Sequence, residues 1–344
     1  KIQDCLSIDC NDGGARFVEA SVNMSLTQFL TDPDLISLNK LIPCDEVAAA
    51  EFPELTRAAN IQVNVFQCGG IALAICNTHN LQDGGALGVF LKEWTAAARG
   101  DGSSASSTVA AQDLKVVAEL FPANDLWLND LSKIIFSSMC KTGNSVTKRF
   151  MFNGPAIEAL RARGKGPIAK NPTRVEAVTG FLWMRAMATL ERKNNGLTRP
   201  SIFTHAVNLR QRMNPPLSGP IGNVLWIAAA CYRRSRSHHT GEDVLPSVVG
   251  ELRGAISKVD SDFVLGLRRD KSLIRSSLEK AIEVGLSEDG ADSFLCSSWC
   301  RFGFYDTDFG WGRPIWEMAL LQEDPELRAL AYVNPSPLII NREL

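Results

Sequence analysis

Four histidines are present in the chain, and His79 has the surroundings best suited to proton-transfer chemistry. It follows the apolar run IALAIC and precedes NLQDGG, so the pattern predicts a turn after a buried strand. Such a turn exposes a side chain on a rigid backbone, and a histidine pKa of about 6.5 suits a general base. Asp83 follows four positions later. His-x-x-x-Asp alone is a short motif, and a hydrogen-bonded core histidine is the competing interpretation.

The other three histidines are weaker candidates for catalysis. His238 and His239 lie in RRSRSHHTGED, among charged and turn-forming residues, which predicts a solvated loop. His205 lies in IFTHAVNL between apolar neighbours. That setting favours a hydrogen-bonded histidine in the core or facing a channel over a catalytic one.

The elements on either side of His79 are predicted from short-range patterns. Residues 61–67, IQVNVFQ, begin with alternating apolar and polar side chains, and a glycine pair separates them from IALAIC. Two extended segments joined by glycines are typical of a β-hairpin. After the turn, ALGVFLKEWTAAARG has a helical pattern that ends at Gly100. The predicted order is therefore hairpin, turn with His79, helix.

The rest of the chain mixes strand and helix patterns and has no internal repeat. Strands are predicted for the segments KRFMFN, IFTHAVNL, GNVLWIAAACY and FLCSSW, and helices for PAIEALRARG and for residues 242–285. Thr173 followed by Glu176 is a capping-box signature for a long helix, preceded by the basic loop RARGKGPIAKNP. The class is α/β or α+β, with two domains predicted at 1–132 and 133–344.

Composition excludes several classes of protein. The chain has 344 residues, 45% hydrophobic and 22% charged, which argues against a disordered, collagen-like or coiled-coil protein. Lys+Arg 36 against Asp+Glu 38 gives a net charge of −2, so a nucleic-acid binder with a strong basic field is not expected. No apolar run reaches the roughly 18 residues of a membrane span, and the first residues do not resemble a signal peptide.

Cysteine usage predicts reduced thiols and a cytoplasmic location. The nine cysteines are odd in number and contain no C-x-x-C pair, so neither disulfides nor a structural metal is expected. Cys76 and Cys231 lie in apolar runs, where a free cysteine behaves as a small buried hydrophobe.

A second motif changes the interpretation of His79. Residues 308–312 read DFGWG, preceded by SSWCRFGFYDT. HNLQDGG followed by DFGWG resembles the plant BAHD acyl-CoA-dependent acyltransferases, whose hallmarks are H-x-x-x-D-G and D-F-G-W-G in that order. Further segments resemble family blocks, namely IDCNDGGARFVEA, NVFQCGGIAL, VTKRFMFN, TRVEAVTGFLW, AVNLRQRMNPPL and GNVLW. The resemblance covers nearly the whole chain and is strongest toward the vinorine-synthase and alcohol-acyltransferase branch.

The resemblance implies a fold and a reaction. The fold would be two chloramphenicol-acetyltransferase-like α/β domains, with mixed sheets flanked by helices and a channel between them, as a monomer. Acyl-CoA, with acetyl-CoA as the expected donor, would be a co-substrate and no cofactor would be bound permanently. The partner would be a small-molecule alcohol, deprotonated by His79 as it attacks the thioester directly.

The resemblance also implies roles for residues around the base. Asp83 would turn away from the channel and pair with an Arg, best matched here by Arg210, and Gly84 would complete the turn. The loop residues Asp308, Gly310, Trp311 and Gly312 would shape the wall on the CoA side, away from the reaction centre. The CoA phosphates need cations or a helix N-terminus, for which Lys165, Thr173 and Arg174 are the candidates, with an ordinary solvated loop as the alternative.

The sequence departs from the family pattern, and the larger departures keep a rival open. Asn80 stands where this branch usually has Lys, and little effect is expected because that side chain should point off the turn. The sequence starts after the usual Y-P-x-A-G-R-like segment and lacks the D-x-x-x-G-I-E-A-W-like block, so these segments either lie outside it or are truncated. The rival is a catalytically degenerate relative that only binds ligands. A Ser or Cys hydrolase is a distant third, since no G-x-S-x-G is present although Cys76 lies near His79.

Overall fold

The structure is a computed structural model, and the chain divides into two compact units. It describes residues 2–3, 7–8, 13–31, 33, 35–43, 59–77, 79, 81–100, 116–117, 119–121, 150–217, 219, 222–233, 244–270, 272–273, 276 and 291–316. The first unit comprises 1–83, 221–223 and 321–326, and the second comprises 84–220, 224–320 and 327–344. The predicted domain boundary between residues 132 and 133 lies outside the described residues and stays a prediction.

The first unit contains a three-stranded sheet in the order β3-β4-β5. Its elements are β1 (Ile2–Gln3), β2 (Ser7–Ile8), β3 (Arg16–Val22), α1 (Leu26–Thr31), α2 (Leu35–Asn39), β4 (Ala59–Phe66) and β5 (Ile71–Asn77). β1 and β2 pair antiparallel with each other, β3 runs parallel to β4, and β5 runs antiparallel to β4. The predicted hairpin is therefore confirmed as β4 and β5, with its turn at the glycine pair.

The middle strand of this sheet buries a row of amide side chains. Asn60, Gln62 and Asn64 are all at least nine-tenths buried, whereas Val65 is 43% exposed. Gln62 Nε2 donates to Asn64 Oδ1 at 2.8 Å, and Asn64 Nδ2 donates to the carbonyl oxygen of Leu41 at 2.9 Å. Because buried amides are tolerated when they are hydrogen-bonded, these contacts attach the segment after α2 to the sheet that leads into His79.

The second unit contains a three-stranded sheet in the order β7-β6-β8. Its elements are α3 (Gly84–Ala98), α4 (Gly154–Arg163), α5 (Arg174–Lys193), β6 (Ser201–Asn208), a 3₁₀ turn (Arg210–Arg212), β7 (Leu225–Tyr232), α6 (Leu245–Ser257), α7 (Ser261–Arg269), β8 (Asp292–Cys296) and a 3₁₀ turn (Phe304–Asp306). β6 is antiparallel to β7 and parallel to β8. The strands predicted in IFTHAVNL and GNVLWIAAACY are confirmed.

One strand prediction is wrong in the part that the structure describes, and one is too long. Residues 150–153 of KRFMFN are not part of a sheet. Asn153 instead caps α4, accepting a hydrogen bond from the Ala156 amide at 2.9 Å, because a short polar side chain before a Pro-containing first turn favours helix initiation. In FLCSSW, β8 ends at Cys296.

The core of the second unit forms around Trp183. This indole is fully buried, and its Nε1–H donates to Ser201 Oγ at 2.6 Å. Phe203 of β6 packs against it with ring centroids 5.1 Å apart, and Tyr232 packs edge-on at 6.3 Å. Trp183 is therefore a core residue of this unit.

None of the helices in the described ranges is both long enough and apolar enough to span a membrane.

Candidate active site

His79 lies in the turn between β5 and α3, as its neighbours predict, and it is exposed. Its carbonyl oxygen accepts a hydrogen bond from Asn223 Nδ2 at 2.6 Å. Four residues later, the Asp83 amide donates to the Gly222 carbonyl oxygen at 3.4 Å. Residues 222 and 223 therefore hold the turn at both ends, which fixes the backbone and leaves the imidazole accessible.

The contact made by Asn223 was not predicted from the sequence. Asn223 belongs to the block GNVLW, which contributed to the family resemblance without any chemistry being attached to its asparagine. The available signal was a lone amide side chain directly before a buried strand. Only the fold brings it to a carbonyl 144 positions away.

Asp83 and Arg210 are both buried, with exposed fractions of 5% and 4%. Asp83 directly precedes α3, and Arg210 opens the 3₁₀ turn after β6. Arg210 is oriented by Asn208, whose Oδ1 accepts from the Arg210 amide at 3.0 Å and from its Nη1 at 3.4 Å. Buried charges require counter-charges, so the predicted pairing of the two side chains stays a prediction with a physical basis.

The DFGWG segment is a hydrogen-bonded loop organised by its aspartate. Asp308 Oδ1 accepts from the amides of Gly310 at 2.8 Å and Gly312 at 3.0 Å. Those two amides, helped by Arg99 and Arg313, hold the pKa of the Asp308 carboxyl below its usual range. Gly310 and Gly312 have φ angles of +102° and +116°, which side chains other than glycine adopt only with strain.

The same loop packs along α3. Phe309 meets Trp94 edge-on, with ring centroids 4.9 Å apart, and stacks on Trp311 at 5.4 Å. Arg99 Nη1 donates to the Asp308 carbonyl oxygen. Trp311 remains 71% exposed. These contacts give the loop a structural role within the second unit, and its predicted place on the CoA side stays a prediction.

Thr173, one of the three candidate CoA contacts, caps α5. Its Oγ1 accepts from the Glu176 amide at 3.2 Å, and its own amide donates to Glu176 Oε2 at 2.7 Å. The predicted capping box is therefore confirmed. Because the hydroxyl is engaged and a carboxylate already occupies this helix end, an arriving phosphate would depend on neighbouring cations.

Lys165 and Arg174 are exposed cations near this helix end, as is Lys170. Lys165 lines a cavity that is open to solvent, together with Glu158, Arg161, Ala162, Asn171 and Pro172. The guanidinium of Arg161 is occupied, since Nε donates to the Pro172 carbonyl oxygen at 2.8 Å and Nη1 to Glu158. Lys165 is thus the cation of this cavity whose ammonium is best placed to receive an anion from solvent.

Glu176 also forms a bidentate ion pair with Arg253 of α6. Arg253 Nε and Nη2 donate to its two carboxylate oxygens at 2.9 and 2.6 Å. Burial raises the pKa of Glu176, but the hydrogen bonds from Arg253 and Thr173 outweigh it and bring that pKa below the usual range. This pair links the start of α5 to α6.

We expect Glu176→Gln to lower the free energy of unfolding by about 1–2 kcal/mol at pH 7, since charged hydrogen bonds are lost from a partly screened site. A carboxyl group whose pKa is lower in the folded protein stabilises the fold in full at pH values above its unfolded pKa of about 4.3. The difference in unfolding free energy between wild type and Glu176→Gln should therefore stay constant from pH 7 to about 5. It should shrink as the pH falls below about 4.3, and urea unfolding at each pH measures it.

Glu158→Gln is the matched control, because Glu158 pairs with Arg161 at 2.8 Å while its side chain is 64% exposed. Its effect should stay below about 0.5 kcal/mol. Equal losses in the two variants, or a Glu176→Gln difference that grows on acidification, would contradict the assignment.

His205 is a hydrogen-bonded core histidine, as predicted. It is 8% exposed, and its Nδ1 lies 2.8 Å from the Ala206 carbonyl oxygen, so Nδ1 is the donor. Burial lowers its pKa, which keeps the ring neutral. Nε2 is buried without a hydrogen-bond partner in the described part of the chain. The predicted solvated loop of His238 and His239 lies outside the described residues.

The interpretation of the cysteines requires two corrections. Cys76 is disulfide-bonded, so the prediction of reduced thiols is wrong at this position. Cys231 is exposed, because it lies on the face of β7 opposite to the buried Ala230 and Tyr232. Of the described free cysteines, Cys296 is the buried one, and burial raises its pKa to about 12.

Comparison with known proteins shows a family. The Transferase family model matches residues 1–337. A limonoid 7-O-acetyltransferase from Citrus sinensis is 34% identical over 385 residues, covering 98% of this chain and 81% of the relative. The epi-neemfruitin B 7-O-acetyltransferase L7AT from Melia azedarach is 31% identical over 381 residues, with the same coverage of 98% and 81%.

Solved structures agree on the fold. The crystal structure of vinorine synthase is 28% identical, with a TM-score of 0.66, and the match covers 90% of this chain and 68% of that one. F. graminearum TRI101, crystallised with coenzyme A and T-2 mycotoxin, is 17% identical with a TM-score of 0.59, over 90% and 72% of the two chains. The predicted α/β class, with mixed sheets flanked by helices, is confirmed.

The sequence resemblance, the fold and the relatives all indicate the same family of acyltransferases. A non-catalytic relative is the less favoured alternative, because the two relatives described above are named acetyltransferases. The chain therefore belongs to the BAHD family and is an acyl-CoA-dependent acyltransferase.

Proposed function

We propose that this enzyme transfers an acetyl group from acetyl-CoA to a hydroxyl of a plant alkaloid or terpenoid, with His79 as the general base. The observation that carries this proposal is that His79 is exposed in a turn whose backbone is hydrogen-bonded by Asn223 and Gly222. The donor and acceptor follow from the names of relatives, which include limonoid and salutaridinol 7-O-acetyltransferases.

The proposed chemistry is balanced by a single proton that His79 accepts and returns. The imidazole takes the hydroxyl proton while the oxygen forms a bond to the thioester carbonyl carbon, which gives a tetrahedral oxyanion. Collapse breaks the carbon–sulfur bond, and the imidazolium protonates the departing CoA thiolate. A positioned base contributes about 10²- to 10⁴-fold, and the rest comes from holding the two substrates together and stabilising the oxyanion.

Lys165, in the loop after α4, and Arg174, the first residue of α5, are proposed as the contacts to the CoA phosphates. Both are exposed cations near the helix N-terminus that Thr173 caps. Lys165 also borders the open cavity described above. Within this proposal Thr173 acts through the geometry of the loop, because its hydroxyl is already hydrogen-bonded to Glu176.

The decisive experiment is an acceptor screen. The protein is incubated with acetyl-CoA and a panel of terpenoid, alkaloid and simple alcohols, and acetylated products are identified by mass spectrometry. Thioester consumption that requires both an alcohol and His79 supports the proposal. Binding of alcohol or CoA without turnover across the panel would instead support the non-catalytic alternative.

Transfer is expected to be direct, without an acyl-enzyme. A covalent route needs a nucleophile within reach of its base, and Cys76, three positions before His79, is engaged in a disulfide. Incubation with acetyl-CoA alone should leave the protein mass unchanged. Cys76→Ala should keep most of the activity, and kinetics should show that both substrates bind before any product leaves.

The matched control is His79→Ala, incubated in the same way, which corrects for slow acetylation of surface amines. A stable adduct that forms only in the wild type at a competent rate, together with parallel-line ping-pong kinetics, would overturn direct transfer. The monomeric state and the cytoplasmic location stay predictions.

A further inference from the structure

Two glycines on one face of α3 allow Phe302 to approach the helix unusually closely. Gly84 and Gly88 are one helical turn apart, so they share a face. A Cβ on Gly84 would lie 2.5 Å from Phe302 Cε2, and a Cβ on Gly88 would overlap the Phe302 carbonyl oxygen. Neither distance is available to a real side chain, so the contact requires glycine at both positions.

Glycine is a costly choice inside α3, where Gly88 lies, because it loses more conformational freedom on folding than alanine would. Since alanine would favour the helix itself, helix propensity does not explain the pair. The close approach of Phe302 does explain it, because no other residue leaves room for the ring and the carbonyl.

Phe302 is itself held in place by its neighbours. Its ring centroid lies 6.0 Å from that of Trp299 and 5.8 Å from that of Phe304, and these two rings are 5.6 Å apart. Phe304 is buried, with 7% exposed. A cluster of three aromatic rings of this kind resists displacement, so it can act as a fixed stop for the start of α3.

The other end of α3 is attached to the same segment of chain. Trp94 contacts Phe309, and Arg99 donates to the Asp308 carbonyl oxygen. The helix is thus held near both ends by residues 302–309, which fixes where it begins.

The start of α3 is linked to His79 by a short piece of chain. Three residues, 80–82, separate His79 from Asp83, and Gly84 is the first residue of the helix. A displacement at Gly84 is therefore passed along the chain to the turn. Because a misplacement of about 1 Å can cost a hundredfold in rate, the position of this helix end matters to a base at His79.

We propose that Phe302 is a positioning residue for His79, acting through Gly84 and Gly88 at the start of α3. This inference rests on the proposed function, in which His79 is the base. Phe302 takes no part in the chemistry. It fixes the start of α3, to which the turn that presents the imidazole is joined through Asp83. Phe302 itself belongs to neither the H-x-x-x-D-G nor the D-F-G-W-G motif, although Gly84 is the glycine of the first.

The test uses the fact that an added Cβ would meet different parts of Phe302 at the two glycines. At Gly84 it would overlap the aromatic ring, and a smaller side chain at position 302 removes that overlap. At Gly88 it would overlap the backbone carbonyl oxygen, which no substitution at position 302 removes. Gly84→Ala should lower kcat per folded enzyme about tenfold and leave KM for acetyl-CoA within about twofold. Gly84→Ala combined with Phe302→Leu should recover most of kcat, and Gly88→Ala combined with Phe302→Leu should not.

The control is Gly254→Ala in α6, where an added Cβ meets nothing within 4 Å, and it should keep wild-type kcat. Folded protein is quantified by unfolding, which separates misplacement from a loss of native enzyme. Unchanged kcat in Gly84→Ala, or a loss that Phe302→Leu does not relieve, would overturn the inference. Wild-type turnover in His79→Ala, measured alongside, would instead overturn the base assignment of the proposed function.

Discussion

Replacing His79 with alanine is expected to lower kcat by about 100-fold or more, with the fold intact. The side chain is exposed and lies in a turn whose backbone is hydrogen-bonded by residues 222 and 223, so its removal leaves no buried cavity. What is lost is the base that accepts the hydroxyl proton during attack on the thioester. Steady-state kinetics with acetyl-CoA and the best acceptor of the screen measure the effect.

His205→Gln is the matched control for the loss of a histidine. His205 is buried in β6, where its ring is kept neutral, so its replacement should cost stability and leave most of kcat. His79→Ala should therefore lower kcat with little loss of stability, whereas His205→Gln should lower the free energy of unfolding with little loss of kcat. Wild-type turnover in His79→Ala would eliminate the proposed mechanism, and equal rate losses in both variants would make His79 no more than a structural residue.

Asp83→Ala and Arg210→Ala are each expected to lower the free energy of unfolding by about 3–5 kcal/mol, because removing one member of a buried pair strands the other charge. Both side chains are at least nine-tenths buried, so solvent cannot replace the missing partner. The double variant should lose less than the sum of the two single losses, which a double-mutant cycle in urea measures.

The exposed pair of Asp306 and Arg313 provides the comparison. These side chains are 76% and 70% exposed, with 3.6 Å between the charged atoms, and their coupling should be within about 0–1 kcal/mol. Activity per folded enzyme should also fall in Asp83→Ala, since Asp83 ends the turn that presents His79. Strict additivity of the Asp83 and Arg210 losses would show that the two residues do not act as a pair.

Local sequence patterns account for the secondary-structure elements around the base. The glycine-joined hairpin, the turn with His79, the helix that ends near Gly100 and the Thr173 capping box all follow from patterns within a few residues. Such patterns are reliable where hydrogen bonding and side-chain periodicity are satisfied locally. The paired motifs also identified the family, because several specified residues in a fixed order rarely coincide.

The contacts that these elements make with remote parts of the chain depend on tertiary packing. The sequence could not show that Asn223 reaches the His79 carbonyl or that Phe302 occupies the space left by Gly84 and Gly88. It also misassigned Cys76, which is disulfide-bonded. The physical reason for the first two is that a contact between remote segments depends on how the elements pack, and local periodicity contains no information about that packing.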